Sequence, residues 1–229
     1  LILGTLSGTV FRLQGEHLQL YRAMTVFGNV GFMGIPIVVS IYPEKGMLYM
    51  AVFTIIDQLM LWTLGVKLTS SEKESGTFNP KKLINPVTVA IILAMICVLT
   101  GIRIPLVLNT ALQKMGATAT PLAMIYLGGV FACIDVLSFV KKPDYYGITL
   151  IKMIGFPVLF YILLRLVPIP ADFRMTMALT SAMPVMSSVV MMANASGSDG
   201  DYAMGGILVT TVCSIITLPA VSWIFQMIG

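Results

Sequence analysis

The chain is 229 residues long, 57% of them hydrophobic and only 10% charged, with a mean hydropathy of +0.93. A soluble domain carries about 25% charged residues, so the composition excludes a soluble globular protein and makes the whole chain an integral membrane protein. The net charge of +4 fits basic residues in cytoplasmic loops and is not read as a nucleic-acid footprint. One histidine, His17, and three scattered cysteines, Cys97, Cys133 and Cys213, argue against zinc chemistry, a disulfide framework and a His-based triad. The cysteines read as small buried hydrophobes, and neither a metal nor a cofactor is expected.

A helix needs roughly 20 apolar residues to cross the hydrocarbon core. Backbone satisfaction in lipid admits only helices or closed barrels, and these runs are too continuous for the alternation of a barrel. The chain opens on an apolar helix tail at Leu1–Phe11, with no initiator Met and no signal-peptide start. The expectation is that further helices precede it. Gly4 and Gly8 form a GxxxG packing motif there.

The next span, Met24–Ile41, contains FGNVGFMGIPIV, in which glycine and proline interrupt an apolar run. Met47–Val66 follows and carries Asp57 and Gln58 mid-span. A polar stretch from Lys67 to Lys82 reads as an exposed loop. Spans follow at Leu83–Thr100, Thr110–Ala132, Tyr145–Val167, Thr176–Ala193 and Tyr202–Met227. Asp135 is placed near an interface, within reach of Lys141 or Lys142. Asp199 and Asp201 in SGSDGD are read as an outer-side turn, since the full calcium-loop spacing is missing.

Basic residues set orientation. Arg12, Arg22, Lys67, Lys73, Lys81, Lys82, Lys141 and Lys142 fall on one side, and Lys45, Arg103, Arg165 and Arg174 on the other. The richer side is expected to be cytoplasmic, which puts the Lys67–Lys82 loop inside.

An internal repeat is visible. YRAMTVFGNVGFMGIP from Tyr21 and FRMTMALTSAMPVMSS from Phe173 both open with an aromatic residue and arginine and then run into small residues and proline. Each leads through a short polar loop into an uninterrupted helix, and the two run in opposite directions, the pattern of an inverted repeat. Glycine and proline free backbone groups that lipid cannot satisfy. Matching broken helices therefore point to a binding site near the midplane, where half-helix N-termini suit a carboxylate. Asp57 at that depth is costly unless it faces the protein interior or water, and such groups mark ion or proton paths.

FGNVGFMGIPIV followed by DQLMLWTLGV resembles the auxin efflux carrier family of membrane transporters, which contains plant auxin carriers and bacterial permeases. Further stretches run in the family's order, at Asn85–Pro105, Ala117–Ala132 and Ala178–Gly197. The resemblance implies an all-α polytopic membrane protein of two inverted five-helix repeats with crossed broken helices, similar to bile-acid symporters. On that map the first helices are missing. Residues 1–67 are the rest of the first repeat, 68–82 a cytoplasmic loop and 83–229 the second repeat.

The resemblance also implies a substrate site at Gly28, Asn29, Gly31, Gln58, Pro184 and Val185. Asn29 holds the substrate carboxylate in that reading, and Gly28–Gly31 is the unwound part. Val185 stands where the plant carriers have glutamine, which argues against auxin itself. Asp57, beside Gln58, is the candidate for ion coupling.

The sequence reading is thus a secondary transporter of a small organic anion, a carboxylate such as malate, multi-pass in the cell membrane. It works by alternating access, leaves proton or sodium coupling and a homodimer open, and is not an enzyme. The rival is a non-transporting metabolite sensor or assembly partner on the same fold.

Overall fold

The computed structural model describes residues 1–70, 86–133 and 139–228. Helices account for most of the described chain. They are α1 (Ile2–Val10), α2 (Gly15–Val26), α3 (Val30–Ile41), α4 (Gly46–Thr69), α5 (Pro86–Thr100), α6 (Leu106–Ala117), α7 (Ala119–Ala132), α8 (Pro143–Leu164), α9 (Ala171–Ser181), α10 (Ser188–Ala195) and α11 (Gly200–Ile228). Among the described residues no named strand occurs. Much of the Lys67–Lys82 loop, and Asp135, lie outside the described residues.

The all-α membrane fold expected from the hydropathy is what is found. Helices α4, α8 and α11, of 24, 22 and 29 residues, are long and apolar enough to cross a membrane unaided. Four boundaries differ most from expectation, the first being the start of the second broken helix at Ala171 rather than Thr176. The first broken helix begins at Gly15 rather than Met24, because its first turns carry Glu16, His17 and Gln19, which hydropathy scores as loop. The expected span Thr110–Ala132 is two helices, starting at Leu106 and interrupted at Thr118. The span expected at Tyr145–Val167 runs from Pro143 to Leu164.

Residues 30–34, 61–65 and 151–155 are wide π-helical turns. Pro36 and Pro157 follow the first and third at the start of the next α-helical stretch, where the proline ring offers no N–H and crowds the carbonyl four residues back. The second, within α4, has no proline after it.

The core forms where α2, α10, α11 and the start of α8 meet around Leu20, Met24, Phe27, Val189 and Tyr202. Helix α1 packs on α2 through its glycine pair, since a Cβ at Gly4 would lie 3.2 Å from the Thr25 side chain and one at Gly8 2.5 Å from Leu18. The GxxxG motif is therefore a contact surface here. Helix α6 buries no residue among those described, so α5–α7 form an outer layer beside the broken-helix core. The cysteines are not the buried hydrophobes expected: Cys133 is exposed, and Cys97 and Cys213 are half-buried. In lipid a thiol needs no protein cover to be in an apolar setting.

Candidate functional site: the crossing of two broken helices

Helix α2 stops at Val26 because Phe27 leaves helical geometry, with φ −89° and ψ 120°. Phe27 and Gly28 run extended, the chain turns sharply at Asn29 (φ −75°, ψ 61°), and α3 starts at Val30. The second break spans residues 182–187, between α9 and α10. The two extended segments meet. The Asn29 N–H donates to the Pro184 carbonyl at 2.7 Å, and the Met186 N–H donates to the Phe27 carbonyl at 3.1 Å. Gly28 and Val185 thereby pair as an antiparallel β-bridge. Backbone groups freed by each break are satisfied by the other, which is how irregular backbone survives at membrane depth.

The crossing is fixed from two further sides. Thr210 on α11 accepts the Val185 N–H at 3.1 Å and donates its hydroxyl to the Gly206 carbonyl at 2.7 Å. In an unbroken helix the Asn29 N–H would bond the Thr25 carbonyl, but it is diverted to Pro184. The Lys152 ammonium, on α8, takes its place and donates to the Thr25 carbonyl at 3.0 Å. Lys152 is 3% exposed, and a Cβ on Gly28 would lie 3.7 Å from its Nζ.

The two helix pairs are also clasped at their ends. At one end Glu16 accepts from the Ser198 hydroxyl and the Asp199 N–H, both at 2.6 Å, and His17 meets Asp199 at 2.9 Å. At the other end Lys45 and Tyr49 donate to Asp172 at 3.2 and 3.0 Å. The start of each broken helix is thus tied to the turn that follows its partner or to the helix after it. The turn around Asp199 thus shares an end of the bundle with His17, and His17 lines a depression of about 240 Å³ together with Phe11, Leu13 and Lys142. Asp172 sits at the N-terminus of α9, where Lys45 holds its carboxyl below the usual range, and the same contact raises Lys45.

The residues singled out in the sequence fall as follows. Gly28, Asn29, Pro184 and Val185 are together at the crossing. Gly31 is not in the unwound segment: it is exposed within the wide first turn of α3, and a Cβ there would touch nothing within 4 Å. The break ends at Asn29 because that side chain caps α3, its Oδ1 accepting the Phe32 N–H at 3.4 Å. The Asn29 Nδ2 has no hydrogen-bond partner among the described residues and remains available as a donor. Asp57 and Gln58 are half-buried near the middle of α4. Asp57 lies within electrostatic reach of Lys152, though not in a direct ion pair.

Sequence reading passed over two residues. Lys152 carried a signal, a lone cation inside an apolar run. Thr210 carried none, since threonine in a membrane helix bonds its own backbone in most cases.

Electrostatically the crossing favours an anion. Helices α3 and α10 both begin there with their positive dipole ends, most of their first N–H groups being held by Gly28, Asn29, Met186 and Ser187. Lys152 and the Asn29 amide add a cation and a neutral donor. Among the described residues no group of His, Cys, Asp and Glu could hold a metal.

Comparison with known proteins agrees with this architecture. The profile of a family described as membrane transport protein matches residues 1–81 and 75–222. The chain is similar to an uncharacterized transporter of Methanocaldococcus jannaschii, with 24% identity over 94% of this chain and 71% of the relative. No solved structure matches.

Proposed function

The chain belongs to the membrane transport protein family, the auxin efflux carriers that its motifs resemble, and from that premise we propose that it is a secondary transporter of a small organic anion, a carboxylate such as malate. That it is a membrane transporter of a small molecule, and not an enzyme, follows from the family and the similar transporter. The observation that carries the finer reading is the pairing of Gly28 with Val185. It brings two half-helix N-termini and the Asn29 amide to one place deep in the bundle.

In this reading the substrate carboxylate sits at the crossing, held by the Asn29 Nδ2 and drawn by the positive dipole ends of α3 and α10, with Gly28, Pro184 and Val185 as its backbone frame. Gly31 and Gln58 line the approach, and Asp57 takes part in coupling to a proton or sodium gradient. The broken-helix core moves against the α5–α7 layer around the fixed site. Residues 1–67 and 83–229 act as inverted repeats joined by the 68–82 loop on the cytoplasmic side, in the cell membrane. The doubled clasp of helix starts to partner turns supports the repeat reading.

The test is uptake of L-malate by the full-length protein in proteoliposomes under an imposed proton or sodium gradient. Concentrative uptake is expected. Malate binding without flux would favour a metabolite sensor instead.

A further inference from the structure

The α5–α7 layer meets the rest of the bundle at α4 and α11. The face that α7 turns to the core is apolar and recurs at helical spacing. Ala123 is buried there, and Leu127 and Val130 pack against the main hydrophobic cluster. Contacts of this kind hold helices together only weakly in a membrane, because lipid tails are as apolar as the side chains they replace. Tyr126, on the same helix, differs in kind. Its hydroxyl accepts a hydrogen bond from the Asn194 Nδ2 on α10 at 2.8 Å. Among the described residues this is the one side-chain hydrogen bond between the α5–α7 layer and the core, since the Thr100 and Thr118 hydroxyls bond within their own layer.

Asn194 is held in place from the core side. A Cβ on Gly200 would fall inside the Asn194 amide, so the glycine at the start of α11 leaves the room that this side chain fills. The turn between the two residues is itself fastened. The Ser196 hydroxyl donates to the Thr69 carbonyl at 2.6 Å, and Glu16 accepts from Ser198 and Asp199. Asn194 is thus a fixed part of the core, and Tyr126 is the group of the outer layer that reaches it. The bond lies at the end that carries the Glu16–Asp199 clasp. At the Lys45–Asp172 end no side-chain hydrogen bond among the described residues joins the α5–α7 layer to the core.

We propose that the Tyr126–Asn194 hydrogen bond is the latch that holds the α5–α7 layer against the core at the Asp199 end, and that it breaks each time the two move past one another. The inference rests on the moving-layer part of the reading above and adds to it the positioning pair that favours one of the two arrangements. Apolar contacts trade for lipid nearly evenly, so the hydrogen bond is the term that differs between them. Such a bond between membrane helices shifts an equilibrium by about 3-fold on average and by up to about 20-fold.

The experiment uses the full-length protein in lipid nanodiscs, freed of its native cysteines. Nitroxide labels are placed by Met47→Cys on α4 and Leu106→Cys on α6, both exposed positions. Double electron–electron resonance then reads the distance between core and layer. With Tyr126 and Asn194 intact, a major and a minor distance are expected. Tyr126→Phe keeps the ring in its packing and removes the hydroxyl, so it is expected to raise the minor-to-major ratio roughly 3- to 20-fold. Asn194→Ala is expected to do the same, and the combined variant no more than either alone, because both remove one bond. A minor distance below detection in the parent that appears in Tyr126→Phe counts for the latch. Two distances in an unchanged ratio in Tyr126→Phe would overturn the latch alone, even where the unfolding temperature falls, since a merely structural contact lowers stability without redistributing the two states. Tyr126→Phe carries the test should Asn194→Ala fail to fold. One distance in the parent, unchanged in Tyr126→Phe, would overturn the moving-layer reading together with the latch.

Discussion

Thr210→Val probes whether the crossing is held from outside. Thr210 is fully buried on α11, and its hydroxyl is the acceptor for the Val185 N–H at 3.1 Å. Valine has nearly the same shape, so packing is retained while the acceptor is lost. The Val185 N–H then stays buried with no partner, which costs about 1–3 kcal/mol. By the relation of about 1.4 kcal/mol per tenfold, the paired crossing becomes roughly 5- to 150-fold less favoured against separated segments. The Thr210 donation to the Gly206 carbonyl is a weaker loss, because that carbonyl already lies within a helix. The assay is thermal unfolding in detergent, with Thr210→Ser as control because serine keeps the hydroxyl. The expected order is wild type near Thr210→Ser, with Thr210→Val clearly lower. A Thr210→Val protein as stable as Thr210→Ser would refute the reasoning that α11 anchors the second break.

Two other outcomes follow from the packing and the end clasps. A Cβ on Gly206 would lie 2.3 Å from the Met24 sulfur, so Gly206→Ala should cost about 1–3 kcal/mol by overpacking. The double variant Met24→Ala/Gly206→Ala should lose less than the two single losses combined, measured in the same unfolding assay. At the Lys45–Asp172 clasp the carboxyl lies below its ordinary 3.8 and the ammonium above its ordinary 10.5. The Asp172 contribution is full above 3.8 and fades as pH falls through its lowered value. The Lys45 contribution is full below 10.5 and fades as pH rises through its raised value. Wild type should therefore be more stable than Asp172→Asn at neutral pH, by a small margin that salt reduces, and the two should converge in strong acid.

Much of the fold was legible because lipid allows few solutions. Apolar run length located the helices, and the glycine and proline in FGNVGFMGIPIV marked the break to within a few residues. The starts of α2 and α9 were less legible. Glu16 and Asp172 look like loop residues to a hydropathy scale, yet each is tied to a partner turn. Gly31 was misplaced for a related reason: composition shows that a helix is weak but not where it restarts. The Asn29 cap and the wide turn before Pro36 decide that point. Lys152 and Thr210 were missed as members of the crossing because their partners, Thr25 and Val185, are far away in sequence and only the folded bundle brings them together.

The central claim is that the crossing binds a carboxylate through Asn29. The most direct measurement is the affinity of the purified full-length protein for L-malate, by titration calorimetry, in wild type and Asn29→Ala. A lost hydrogen bond to a charged group is worth about 1.5–3 kcal/mol, so Asn29→Ala is predicted to bind malate roughly 10- to 150-fold more weakly. Equal affinity in the two proteins would contradict the account.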